Sequence, residues 1–253
     1  MLTAITRKVS PAITRCELTH LPRKPIDVAL AARQHEEYER SLSDLGCRVV
    51  SLPAEPDLPD SVFVEDTAVV VDELAVVTKP GATSRRAETA SMARVLAEYR
   101  PIAVIQAPGT LDGGDVLRVG RRVFVGLSVR SNREGVKQLR ALLSPFGYAL
   151  EALAVSGCLH LKSAVTQVAQ DAVLLNRAWV DSAGLDGLRC IDIDPAEPYA
   201  ANALLVGEAV IYPAAFPRTA ARLERVGIRL ALVDVSELAK AEGAVTCCSL
   251  ILQ

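Results

Sequence analysis

Two adjacent cysteines, Cys247 and Cys248, stand near the end of the chain in the stretch GAVTCCSLILQ. A thiol attacks carbon as its thiolate, so it needs a neighbour that manages protons. Histidine is the usual one, and the chain has three. His20, in CELTHLPRK, is expected in an exposed loop, and His35, in AARQHEEYER, on a solvated helix face. His160, in GCLHLKSAV, lies between apolar residues and is the histidine placed to share a buried site. Carboxylates come from two further stretches. TLDGGDVL sets Asp112 and Asp115 around a glycine pair. This is either an acidic turn or a place where Gly113 and Gly114 let the backbone approach a ligand while Asp112 points at it. PDSVFVEDTAVV supplies Asp60, Glu65 and Asp66, the last two interrupting a β-like apolar run. Burying two carboxylates is costly unless a cation meets them, and a guanidinium matches them in paired geometry. A thiol, an imidazole and several carboxylates together suit attack on a planar cationic substrate.

These residues are far apart in sequence, so the fold must gather them. The chain repeats one rhythm: a short polar tetrad, a strand hairpin, a helix and another strand. It runs through VEDTAVVVDELAVVT, SRRAETASMARVLAEY and IAVIQA, then through LDGGDVLRVGRRVFVG, SNREGVKQLRALL and YALEAL. A third unit has LHLKSAVTQVAQDAVLLN, a poorer helical stretch after Asn176 and LRCIDI, and a fourth has ANALLVGEAVIYP, PRTAARLERV and IRLALVDV. The fifth is split between TCCSLILQ at the end and TAITRKV, IDVALAARQHEEYERSLSDL and CRVVSL at the start. From Asp66 through Asp112, His160 and Asn202 to Cys247 the steps are 46, 48, 42 and 45 residues.

Five such units predict an α/β fold built as a five-module ββαβ propeller with pseudo-fivefold symmetry, a single domain over residues 1–253 with the fifth module closed by both termini. Equivalent positions would meet near the axis, bringing Asp66, Asp112, His160 and Cys247 together. An open parallel α/β sheet is the alternative. Hairpins before most helices and the lack of a G-x-G-x-x-G after a strand weigh against it. Strand alternation is expected to turn Cys247 and Cys248 to opposite faces, one to the site and one into the core. Ser131 and Glu134 read as a capping box, Pro217 as a first helical turn, and Gly46 and Gly227 as helix ends.

Composition removes several function classes. The 253 residues carry a net charge of −2, and half are apolar, which suits a globular protein of enzyme size. Near-neutral charge offers no footprint for nucleic acid or an anionic membrane, and few aromatics offer no stacking surface for bases. The first residues lack a signal-like apolar stretch, and acids break the apolar runs short of a membrane span. Both point to the cytoplasm. Cys16, Cys47, Cys158 and Cys190 have no C-x-x-C or zinc-ribbon spacing and read as packed core thiols.

The stretches PDSVFVEDTAVV, PGATSRRAE, TLDGGDVLRVGRRVFVGLSVRSN, LHLKSA and VTCCSLIL resemble, in order and from end to end, the dimethylarginine dimethylaminohydrolases of the guanidino-modifying (pentein) superfamily. The resemblance implies the five-module propeller. It implies Cys247 as nucleophile, His160 as the catalytic histidine and Asp112 as the triad acid. It implies Asp60, Glu65 and Asp66 as substrate-binding carboxylates, and Arg85 and Arg130 as arginines near the substrate's carboxylate. Leu18 and Ala241 are implied to meet the α-amino end through backbone carbonyls.

The implied reaction hydrolyses asymmetric dimethylarginine or monomethylarginine to citrulline and the corresponding amine. Cys247 attacks the guanidinium carbon, His160 protonates the leaving amine, and water resolves a covalent S-alkylthiouronium. Asp112 either orients His160 or binds the guanidinium. No step requires a metal or cofactor. The expected partner is a small-molecule substrate, with no nucleic acid and no membrane; oligomeric state stays open, a homodimer included. Alternatives are an arginine deiminase-like hydrolase, an amidinotransferase, or a non-enzymatic protein that binds arginine or methylarginine.

Overall fold

In a computed structural model the chain is described over residues 1–253. It opens with β1 (Thr3–Arg7), α1 (Val28–Asp44) and β2 (Arg48–Leu52). Next come β3 (Ala68–Val70), β4 (Ala75–Val77), α2 (Glu88–Leu96) and β5 (Ile102–Val104), then β6 (Val116–Val119), β7 (Arg122–Leu127), α3 (Arg133–Leu143) and β8 (Ala149–Ala154). A one-turn α4 (Leu161–Ala164) precedes β9 (Val165–Ala169), β10 (Ala172–Leu175) and β11 (Arg189–Asp192). The chain finishes with β12 (Leu204–Val206), β13 (Ala209–Pro213), α5 (Pro217–Arg225), β14 (Arg229–Val233), α6 (Ser236–Ala239) and β15 (Leu250–Leu252).

The strands form five three-stranded sheets, ordered β15-β1-β2, β3-β4-β5, β6-β7-β8, β9-β10-β11 and β12-β13-β14. In each, the first pair is antiparallel and the second parallel. In four of the sheets a hairpin makes the first pairing, and in all five a crossover, usually a helix, makes the second. The C-terminal β15 pairs with the N-terminal β1 in the register Thr3 to Leu252, so the split fifth unit forms as the repeat requires. The third unit makes its crossover with only a 3-10 turn at Ser182–Leu185.

Helix α1 shows how sequence sets these pieces. Asp27 accepts a hydrogen bond from the Leu30 amide, capping the first turn. Ala31, Gln34, His35, Tyr38 and Leu42 recur at helical spacing and are buried. Gly46 then takes φ +87° to end the helix. Contrary to the sequence reading, His35 is on the buried face, 1% exposed. The expected capping box at Ser131 does not form either. Asn132 caps α3 by accepting from the Gly135 amide at 2.8 Å, while Ser131 donates to Asp115 at 2.6 Å. Pro217 does open α5, and Gly227 follows it at φ +86°.

Five buried apolar clusters join the sheets in order. Val136, Leu139 and Leu143 of α3 pack with Val76, Val123 and Val125, tying the second sheet to the third in the order above. Leu117 and Phe124 meet Val165 and Val173; Val168 and Leu174 meet Val210 and Leu223; Ile211 and Val233 meet Tyr38 and Leu42. Met92 and Leu96 of α2 return to Ile5 and Leu252. Each cluster serves two neighbours, so no sheet buries its apolar surface alone. The first strands of all five sheets line one cavity of about 1100 Å³. No helix is long and apolar enough to cross a membrane.

Candidate active site

The chemistry-bearing residues sit in the turns just before the first strands, not in the strands. Glu65 and Asp66 lie in a 3-10 turn, Val64–Thr67, and Asp112 leads into another, Gly113–Asp115. His160 is the N-cap of α4. Cys247 and Cys248 occupy a turn ahead of β15, where the Cys247 amide donates to the Ala244 carbonyl at 3.2 Å. Their different environments therefore come from the turn and not from strand alternation. Cys248 is fully buried in the cluster under α1. Cys247 opens onto a small pocket of about 20 Å³ whose walls include Asp60, Asp66, Arg85, Arg130 and His160. The buried Tyr38 hydroxyl lies 2.7 Å from Ser249 Oγ and ties α1 to the cysteine segment.

His160 Nε2 is 3.0 Å from Asp112 Oδ2, and its Nδ1 is 3.8 Å from Asp66 Oδ1. Asp112 is fixed by the Gly81 amide at 2.8 Å. Asp66 accepts from the Gly114 amide at 2.9 Å and pairs with Arg85. Asp115 accepts from Ser128, Ser131 and the Leu161 amide, holding the turn that presents His160. This packing requires the glycine pair. A Cβ on Gly113 would lie 1.9 Å from the Glu65 carbonyl, and one on Gly114 would lie 2.7 Å from both Asp66 Oδ1 and His160 Nδ1.

Charge follows from these neighbours. Burial alone would push His160 down, but Asp66, the Asp112 hydrogen bond and Asp115 outweigh it and lift its pKa to about 9. His160 is therefore an imidazolium at neutral pH. Burial also works against the Asp66 carboxylate, but His160 and Arg85 hold it at about 2. Cys247 is pushed up to about 12, by burial first and then by Glu65 and Asp66. In the free protein the thiol is protonated, and a cation entering the pocket would offset the carboxylates that oppose its ionisation.

Glu65 and Asp66 are adjacent but placed differently. Glu65 lies outside the lining of the small pocket, its carboxylate engaged by Lys162 Nζ at 2.6 Å and Thr246 Oγ1 at 2.8 Å. All three line the large cavity. Asn202 braces them, donating to the Lys162 carbonyl and to Thr246 Oγ1, both at 3.0 Å. Lys162, Thr246 and Asn202 were not singled out from sequence, although Asn202 holds the equivalent repeat position and Lys162 follows His160 by two.

Two arginines line the pocket beside Asp66 and Asp112. Arg85 donates to Glu88 and to the carbonyls of Asp60 and Phe63, so its guanidinium is locked in place. Arg130 donates through Nη2 to Thr19 at 3.0 Å. Its buried Nη1 has no hydrogen-bond partner and lies 3.6 Å from Asp112 Oδ2. Asp60 accepts from the Glu17 amide at 3.0 Å. Ala241 lines the pocket, whereas Leu18 lies outside its lining, half-buried against the cluster under α1. Asp66, Asp112 and His160 form a group of three whose ligand atoms lie within 4.8 Å. A metal ion there would have to displace Arg85 from Asp66 and the proton from His160.

The arginine deiminase family model matches residues 54–193. A dimethylarginine dimethylaminohydrolase of Streptomyces coelicolor is 40% identical over 251 residues, covering 99% of this chain and 96% of the relative. The chain belongs to the dimethylarginine dimethylaminohydrolase family. The Pseudomonas aeruginosa dimethylarginine dimethylaminohydrolase is 37% identical over 226 residues, covering 88% of this chain and 89% of that protein. A solved structure of the Pseudomonas aeruginosa protein, a Cys-to-Ser mutant complexed with citrulline, superimposes with a TM-score of 0.94 over 100% of both chains at 33% identity. The mixed α/β fold with five small sheets is thus that of the dimethylarginine dimethylaminohydrolase family and its pentein superfamily.

Proposed function

We propose that the chain hydrolyses Nω-methylated arginine to citrulline and dimethylamine or methylamine, with Cys247, His160 and Asp112 as the reacting set. The observation that carries this reading is one small pocket lined by the Cys247 thiol, the His160 imidazolium, Asp66 and two arginines, in a chain of this family. Asp66 meets the substrate guanidinium, and the arriving cation favours loss of the Cys247 thiol proton to solvent, since the His160 imidazolium is already protonated. The thiolate attacks the guanidinium carbon, and His160 gives its proton to the departing amine. The remaining S-alkylthiouronium keeps its carbon bonded to sulfur until His160, now neutral, takes a proton from water. The water oxygen adds to that carbon, the sulfur leaves, and citrulline forms. Asp112 orients the imidazole. Arg130, with its free Nη1 donor, and Arg85 address the substrate carboxylate, while Asp60 and the carbonyls of Leu18 and Ala241 address the ammonium. Glu65 acts from behind through Lys162 and Thr246. The five sheets read as one pseudo-fivefold propeller domain spanning residues 1–253, whose circular order of shared cores supports that arrangement.

The test is citrulline formation from asymmetric dimethylarginine, monomethylarginine and arginine in parallel, with Cys247→Ser and Cys248→Ser as controls. Turnover of the methylated substrates lost only in Cys247→Ser is expected. Turnover of arginine alone would move the chain to deiminase chemistry, and no citrulline from a folded protein would leave a transferase or a binding protein.

A further inference from the structure

Glu242 breaks a local rule of helix ends. It follows α6 at φ +58°, the single residue other than glycine with positive φ in the chain. Its amide donates to the Ala239 carbonyl, and the Gly243 amide donates to the Leu238 carbonyl. That pairing is a Schellman motif, whose left-handed position normally carries glycine. A glutamate there is strained, so its side chain must return something. Its carboxylate accepts three backbone amides from one distant loop: Thr19 at 3.0 Å, His20 at 2.5 Å and Leu21 at 2.6 Å. The same loop is tied by the Glu17 amide to Asp60, by Glu17 Oε2 to Ser84 and by Thr19 Oγ1 to Arg130. Glu17 and Glu242 both line the small pocket. Asp60 and Arg130 are polar groups that a substrate's ammonium and carboxylate would also use. Glu242 and Ser84 stand apart from that set, and of the two Glu242 holds three amides of the loop.

We infer that Glu242 is a positioning residue, whose carboxylate holds the loop 17–21 at the edge of the pocket that Glu17 lines, and with it the Leu18 carbonyl that the proposed reaction sets against the substrate's α-amino group. The inference rests on the proposed reaction. Three charge-assisted bonds converging on one carboxylate order a segment that has no regular secondary structure of its own. The substitution that separates this role from ordinary folding is Glu242→Gly, which removes the carboxylate and relieves the backbone.

The experiment compares the intact protein with Glu242→Gly and Glu242→Gln by amide hydrogen exchange, thermal unfolding and steady-state kinetics. Substrates are asymmetric dimethylarginine and the analogue lacking its α-amino group. In Glu242→Gly the amides of 19–21 should exchange at least roughly tenfold faster, with KM for dimethylarginine rising by a similar factor and kcat changing less. The melting temperature should hold or rise, the analogue should be affected less, and Glu242→Gln should fall between. Unchanged exchange at 19–21, or faster exchange with unchanged KM, would overturn the inference. So would a KM rise without faster exchange, since Glu242 would then touch substrate directly. Absence of citrulline from the intact protein would instead sink the proposed reaction. Exchange needs no turnover, so the two failures can be told apart.

Discussion

His35 and His160 are both almost completely buried, yet their surroundings drive them to opposite charge states. His35 lies on α1 against Tyr38, with both ring nitrogens unpartnered and Glu39 Oε1 3.7 Å away. Burial dominates there and, with Lys8 adding to it, outweighs Glu39 and Glu36 to lower its pKa to about 4. His160 meets the same burial, but Asp66, Asp112 and Asp115 overcome it. Burial penalises an imidazolium at both places, and carboxylates within reach decide whether the penalty is met. His35 has no carboxylate within hydrogen-bond distance, Glu39 lying 3.7 Å away, whereas His160 has Asp112 at 3.0 Å with Asp66 and Asp115 adding to it.

The largest effect should come from removing that support. Asp112→Asn is expected to lower kcat by roughly 10²–10⁴, the range that proton transfer by a positioned group contributes. Its basic limb should also move to lower pH. A variant with unchanged kcat would break the comparison at its stronger member.

Stability against pH should show the contrast next. His35 stays neutral when folded, so from its ordinary 6.5 down to about 4 the unfolded chain binds the extra proton. Stability falls as pH drops through that window, by on the order of 3 kcal/mol, and levels below it. His160 runs the other way. Its raised pKa gives stability that is full below 6.5 and lost as pH rises through about 9. Urea unfolding from pH 4 to 9.5 should show both limbs. His35→Gln should flatten the acid limb and His160→Gln the alkaline one.

The kinetic counterpart is smaller. In the intact protein kcat/KM should fall above about pH 9 as His160 loses its proton. Cys247, held near 12, should react slowly with iodoacetamide at neutral pH when no cation fills the pocket. Alkylation at the rate of an ordinary thiol would contradict the protonated state. Smallest is the helix cap. Asn132→Ala should cost about 1 kcal/mol without moving the alkaline limb.

The five-unit rhythm was legible because alternating apolar runs, turn residues and helix ends are local signals. Cys247, His160 and Asp112 were legible because each opens its unit. His35 was misread because helical spacing shows a face but not which neighbours cover it, and here β14 and α6 of the adjoining unit pack against α1 together with β2 of its own sheet. Ser131 was misread because its hydroxyl had a better acceptor in Asp115, a residue 16 positions away. Glu65 and Asp66 look equivalent in sequence, but a one-residue step in a 3-10 turn sends their carboxylates to different cavities.

Residue types and spacing by themselves determined the repeat and which side chains could react, since these depend on neighbours within a turn or a hairpin, and the join of the two termini followed from completing the fifth unit. Only the tertiary structure decided which histidine is charged, which of Glu65 and Asp66 faces the small pocket and which amides the Glu242 carboxylate meets. Those outcomes depend on desolvation and on partners brought from other units, and neither is written in any single stretch of the chain.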